Sequence, residues 1–160
     1  MTRHAVLFSC AVWCVVTGTG CGGRSAPTAP SAPQSFLAGT WTGTLTIERE
    51  GEPTTSGAVT WTFEVVADTN LQTFRTTIRS QHAWLPITTT VTTAITPANT
   101  PPARISTQGN YSSPRGCTGS LLSVGTAEAT RIDADFGGVD CSTLAHSTFG
   151  GRVVLTKSGA

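Results

Sequence analysis

Residues 41–48 read WTGTLTIE. Taken in steps of two, Trp41, Gly43, Leu45 and Ile47 fall on one side, and Thr42, Thr44, Thr46 and Glu48 on the other. Period two is the geometry of an extended chain, whose successive side chains point to opposite faces. An amphipathic helix would need apolar residues three and four apart instead. Threonine reinforces the reading, because a branched β-carbon is stiff at χ1 and suits a pleated surface. The stretch is therefore a half-buried strand with an apolar inner side and a hydroxyl-rich outer side.

The same pattern recurs along the chain. In residues 58–66, Val59, Trp61, Phe63 and Val65 form the inward row. Residues 68–70 (DTN) read as a turn. Residues 71–79 follow, with Phe74 and Ile78 on one face and Arg75 and Arg79 on the other. Leu85, Ile87, Val91 and Ile95 alternate with threonines in the next run, which ends at the prolines of residues 97–102 (PANTPP). Residues 103–108 are a short strand, followed by a turn beginning at Gly109, Asn110 and Tyr111. Residues 116–124 and 126–136 read as a hairpin hinged at Gly125, with Ile132, Ala134 and Phe136 inward and Arg131, Asp133 and Asp135 outward. Residues 137–148 are a loop, and residues 149–157 (FGGRVVLTK) are the last strand, with Phe149, Val153 and Leu155 inward. About eight short strands at regular spacing, without an amphipathic helix, give an all-β fold. Short sequential connections favour a single antiparallel up-and-down barrel, the alternative being a β-sandwich. Closing first strand on last would remove both edges. Gly43, Gly150 and Gly151 would permit tight bends where the barrel closes.

Composition sets the class. The chain has 160 residues, 38% of them apolar and 12% charged, with a formal net charge of +1. The apolar share is enough to build a core. The near-zero balance offers nothing to a nucleic-acid backbone.

The N-terminus is an address. Arg3 precedes an apolar run over residues 5–16, AVLFSCAVWCVV. That is signal-peptide length and short of the roughly 20 residues that span a bilayer. Small residues then lead to Cys21, and the arrangement resembles a bacterial lipoprotein signal. The resemblance implies cleavage after Gly20 and lipidation of Cys21, although Gly18 stands where that pattern has an apolar residue. The alternative is an ordinary signal peptide cut near residues 18–20. Residues 22–35, GGRSAPTAPSAPQS, form a Pro/Ala/Ser-rich tether. The expected organisation is residues 1–20 as signal peptide, residues 21–35 as lipidated cysteine and tether, and residues 36–160 as the barrel domain.

Of five cysteines, Cys10 and Cys14 leave with the signal and Cys21 carries lipid. Cys117 and Cys141 remain as an even pair in an oxidising compartment. A bridge between them closes a loop of about 25 residues, worth roughly 3.5 kcal/mol in the chain-entropy model. The rival is a metal site of Cys117, Cys141 and His146, but structural zinc takes four ligands in closely spaced pairs.

Residues 36–43 (FLAGTWTG) resemble the start of lipocalin-like, or calycin, barrels. There a Gly-x-Trp heads the first strand and the Trp plugs one end. Gly39 and Trp41 match, and the resemblance implies an Arg on the last strand beside the Trp, a place Arg152 would take. Cys21, residues 41–43, Cys117 and Cys141 also resemble small bacterial lipoproteins of uncharacterised function, a resemblance that brings no activity with it.

Chemistry-bearing candidates are sparse. His82 lacks a local partner that would make it a base. His146 with Ser142, Ser147 and Asp140 forms a triple that any Ser-rich chain offers, and no Gly-x-Ser-x-Gly elbow exists. Asp133 and Asp135 share a solvated strand face rather than a calcium loop. No phosphate-cradling glycine loop or dinucleotide fingerprint appears, and Gly22 and Gly23 belong to the tether. Trp84 lies beside Pro86 between strands, and is the candidate ligand contact at a barrel mouth. No catalytic residue, metal or cofactor is expected. The expected function is a non-catalytic binding or interaction module on the cell envelope, held to the membrane, at the outer membrane or the periplasmic face, by a palmitate-type lipid anchor. A small apolar ligand in the lumen or a protein is its partner, and nucleic acid is not. The alternatives are a barrel inhibitor of an exported protease, to whose periplasmic examples the layout of arm, barrel and one disulfide is similar, and a purely structural surface lipoprotein.

Overall fold

The computed structural model describes residues 35–67, 69–141 and 147–159. The expected signal peptide, Cys21, residues 22–34 of the expected tether, Asp68, Ser142 and His146 lie outside the described residues. The elements, in chain order, are β1 (Gly39–Glu48), β2 (Thr55–Val65), β3 (Thr73–Ser80), β4 (Thr88–Thr96), β5 (Ala103–Ser112), β6 (Thr118–Ala127), β7 (Arg131–Val139) and β8 (Thr148–Lys157). Each pairs antiparallel with the next, and β8 returns to β1, so the sheet is a closed eight-stranded up-and-down barrel. The sandwich alternative is excluded, and no strand edge is left along the β1–β8 closure.

The closure depends on glycine. Gly43 of β1 faces the backbone of Val154 and Leu155 on β8, and Gly151 of β8 faces that of Thr46 and Ile47 on β1. A β-carbon at either place would run into the neighbouring main chain. Gly150 has open space around it, so the expected bend residues reduce to Gly43 and Gly151.

The lumen is filled by unequal walls. Trp41, Trp61, Phe63, Phe74, Phe136 and Phe149 project inward and are buried. Their rings make a continuous chain: Trp41–Phe63 at 6.4 Å, Phe63–Trp61 at 5.9 Å, Trp61–Phe136 at 6.5 Å and Phe136–Phe149 at 5.8 Å. The facing wall supplies small inward residues, among them Thr93, Thr107, Gly109, Gly119 and Ser123. Large against small is how a narrow barrel reaches interior packing density.

Both mouths are closed by the chain itself. At the mouth where β1 begins, residues 35–38 turn under the barrel, and Leu37 is fully buried. Trp41 Nε1 donates to Leu37 O at 2.8 Å, Lys157 Nζ to Phe36 O at 2.5 Å, and Phe36 N to Asn99 Oδ1 at 2.9 Å. At the opposite mouth, residues 81–87 fold inward and bury His82, Leu85 and Ile87.

Several local expectations change: residues 137–139 continue β7 rather than open a loop, and Leu85 and Ile87 precede β4, which begins at Thr88. β5 runs through Gly109, Asn110 and Tyr111 and turns only after Ser112, where Gly116 N donates to Ser113 O at 3.0 Å. Gly109 is small not for a turn but because Val91 packs where its side chain would be. Gly125 is no hinge: it lies inside β6 opposite Ala134, and its missing side chain makes room for Asp133 and Ala134. Val65, the last residue of β2, is exposed, because it stands at the rim where the inward row has no further layer to pack against.

Candidate functional site

The upper mouth, where β1 ends, gathers most of the chemistry-bearing side chains. Its base is the 81–87 segment, QHAWLPI, where Pro86 bars a strand and the apolar Leu85 and Ile87 draw the segment inward. His82 holds the segment together. Trp84 N donates to His82 Nδ1 at 3.1 Å, so Nδ1 is the acceptor and the ring proton is on Nε2. Nε2 in turn meets Thr55 Oγ1 at 3.1 Å. Gly57 leaves the space that the His82 backbone occupies. Both ring nitrogens thus serve the loop.

Trp84 is half-buried above this base. Its ring meets Phe149 edge-on at 5.3 Å, and the guanidinium carbons of Arg49 and Arg115 lie 4.5 and 4.9 Å from its centroid. Guanidinium groups at that range are attracted to the indole π-face. Arg49 also pairs with Glu52 at 3.4 Å. Arg115 pairs with Asp140, whose side chain is 1% exposed. Tyr111 Oη donates to the other oxygen of that carboxylate at 3.0 Å. Burial pushes the Tyr111 hydroxyl up to about 12, with Arg115 opposing.

The disulfide stitches this cluster together. Cys117 and Cys141 are bonded, with Cα atoms 5.5 Å apart. It joins the turn that carries Arg115 to the residue after Asp140. The two sulfurs and the Asp140 carboxylate lie within 4.8 Å of one another. Thiolates tied up in a disulfide are not ligands, so the metal reading of Cys117 and Cys141 loses its donors.

Other expected residues separate. Gly39 opens β1 at a φ of 110°, next to the buried Trp41. The cation beside Trp41 is not Arg152 but Lys157, the chain's single lysine, 5.6 Å from the ring. Arg152 lies on the outward phase of β8 and bonds Asp133 on β7 through two nitrogens, at 2.6 and 2.7 Å. That bond, with help from Arg131, holds the Asp133 carboxyl below its usual range. The reason for the difference is period two: Phe149, Val153, Leu155 and Lys157 share one phase, and Arg152 the other.

The outer wall is uneven. β4, β5 and β6 carry a single charged residue, Arg104, whereas the outward phase of the other strands holds Glu48, Glu64, Arg75, Arg79, Arg131, Asp133, Asp135 and Arg152. The β4–β5 ladder runs only from Thr92↔Gln108 to Thr96↔Arg104. Beyond it the strands part and are joined by Thr89 Oγ1 donating to Asn110 O at 2.9 Å. Shallow concavities lie along this seam, one lined by Thr92, Gln108, Asn110, Ser120 and Leu122. Leu122 is half-exposed there. The sequence reading missed the Arg–Trp–Arg cluster and the seam. Neither leaves a local motif, since each joins residues far apart in the chain.

No protein-family model matches the chain, and no curated protein and no solved structure matches it.

Proposed function

We propose that the protein is an exported, lipid-tethered, non-catalytic interaction module that meets its partner with the outside of the barrel. One observation carries the reading: the lumen and both mouths are occupied by the protein's own side chains, from Leu37 and Trp41 through the aromatic chain to Trp84. A small apolar ligand inside the barrel would have to displace that chain. The charge-poor β4–β6 wall, with its half-exposed Leu122, is the surface best suited to a partner, because docking there desolvates few charges. The sequence supports the tether through its signal-like N-terminus, Cys21 and the Pro/Ala/Ser spacer.

Two measurements test this reading. Intact mass of membrane-extracted protein is expected to show an acylated mature chain starting at Cys21, and Cys21→Ala is expected to release it from the membrane fraction. A photo-crosslinking residue at Leu122 is expected to give a discrete adduct in intact cells, and one at Thr44 none. Stoichiometric uptake of a fluorescent fatty acid with quenching of tryptophan emission would restore the lumen as the ligand site.

A further inference from the structure

Proton counting inside the barrel points to a bound guest, independently of the function proposed above. Thr76, Thr93, Thr107 and Ser123 lie on four successive strands, β3 to β6, and all are buried facing inward. Thr93 Oγ1 is 2.7 Å from Thr76 Oγ1 and 2.8 Å from Thr107 Oγ1. Three hydroxyls bring three protons and share two hydrogen bonds, so one end of the row has a proton to give elsewhere. Ser123 is the cross-strand neighbour of Thr107, and its Oγ is buried without a partner among the described residues. Among the described residues, Trp61 Nε1 is buried without a partner as well. Phe136 links the two, being the cross-strand partner of Ser123 and the ring neighbour of Trp61.

Buried donors left unmade are costly, and native cores pair nearly all of them. A hydrocarbon guest would leave all of these protons without an acceptor. A guest of any size would collide with the aromatic chain. Water fits both conditions: it is small, it accepts two hydrogen bonds, and it takes polar sites that offer two to four partners. We infer that the barrel encloses internal solvent at its two orphaned donors, one or two water molecules that accept from the Trp61 indole N–H and from the hydroxyl row where it ends beside Ser123.

The test is nuclear magnetic resonance of the nitrogen-labelled full-length protein. A cross-peak between the Trp61 indole proton and water is expected, with the sign of long-lived dipolar contact rather than proton exchange. Ser123→Ala is expected to lower the melting temperature by a few degrees, because the water loses a partner. No such cross-peak in the folded wild type overturns the inference. So does a rise in melting temperature for Ser123→Ala, which would mean that the hydroxyl is a plain desolvation cost. Should Ser123→Ala fail to fold, the wild-type cross-peak decides alone.

Discussion

Tyr111 is the only tyrosine of the chain, so its titration is visible without mutation. Its hydroxyl is held up to about 12, chiefly by burial. A tyrosine raised in the folded state keeps its proton there while the unfolded chain gives it up near pH 10. Its contribution is therefore complete below pH 10 and is lost as pH rises toward 12, roughly 2 kcal/mol over that window. Tyrosinate absorbance is expected to rise only together with unfolding, and Tyr111→Phe should lose this alkaline step. At neutral pH that variant is expected to cost about 1–3 kcal/mol, because a hydrogen bond to the buried Asp140 carboxylate disappears. Asp133 behaves in the opposite sense. Its carboxyl is held low by Arg152, so the pair's support is present above about pH 4 and fades as pH falls through the folded-state value. Both partners are partly exposed, and Asp133→Asn is expected to cost less than about 1 kcal/mol in chemical denaturation. Of the upper cluster, Trp84 was legible in the chain as an aromatic at a mouth, but its partners were not. Arg49, Tyr111, Arg115 and Asp140 are unremarkable one by one and acquire roles only from the tertiary contacts that bring them together.

At the scale of elements, the segments that matter most beyond the strands are the two that close the mouths. The 35–38 turn is joined to the barrel through Leu37, Trp41 and Lys157. Leu37→Ala is expected to cost about 2–5 kcal/mol, the usual range for a buried leucine. Its signature would be a red shift in tryptophan emission as Trp41 meets water. At the other mouth, Cys117→Ser with Cys141→Ser is expected to lose roughly 3 kcal/mol of denaturant stability, because the bridge closes a 24-residue separation. The strands themselves were legible because alternation needs only neighbours. Their ends were less so. Gly109 and Gly125 look like turn residues in isolation, yet each lies inside a strand where Val91 or Ala134 crowds the site. A glycine required for close approach and one required for a turn look alike in one dimension.

For the whole molecule, closure is the decisive contact. Gly43→Val is expected to prevent β1 from seating on β8, giving insoluble protein or a chain without near-ultraviolet circular dichroism, whereas Gly150→Ala should leave folding intact. A lumen packed by large side chains from one wall against small ones from the other also predicts one cooperative melt for the barrel. A barrel with a loosely filled interior would instead expose apolar surface and bind hydrophobic dyes before melting.

By itself the sequence determined the strands, their inward phase, their up-and-down order and the Cys117–Cys141 pairing. Each of these follows from local periodicity or from counting. It even carried the correction to Arg152, since that residue is out of phase with Phe149, Val153 and Leu155. Only the tertiary structure decided which cation meets Trp41, what fills the lumen, where β4 and β5 part and how the Arg–Trp–Arg cluster forms. These depend on register between strands far apart in the chain and on the volume left between them, and neither is a property of any short stretch of residues.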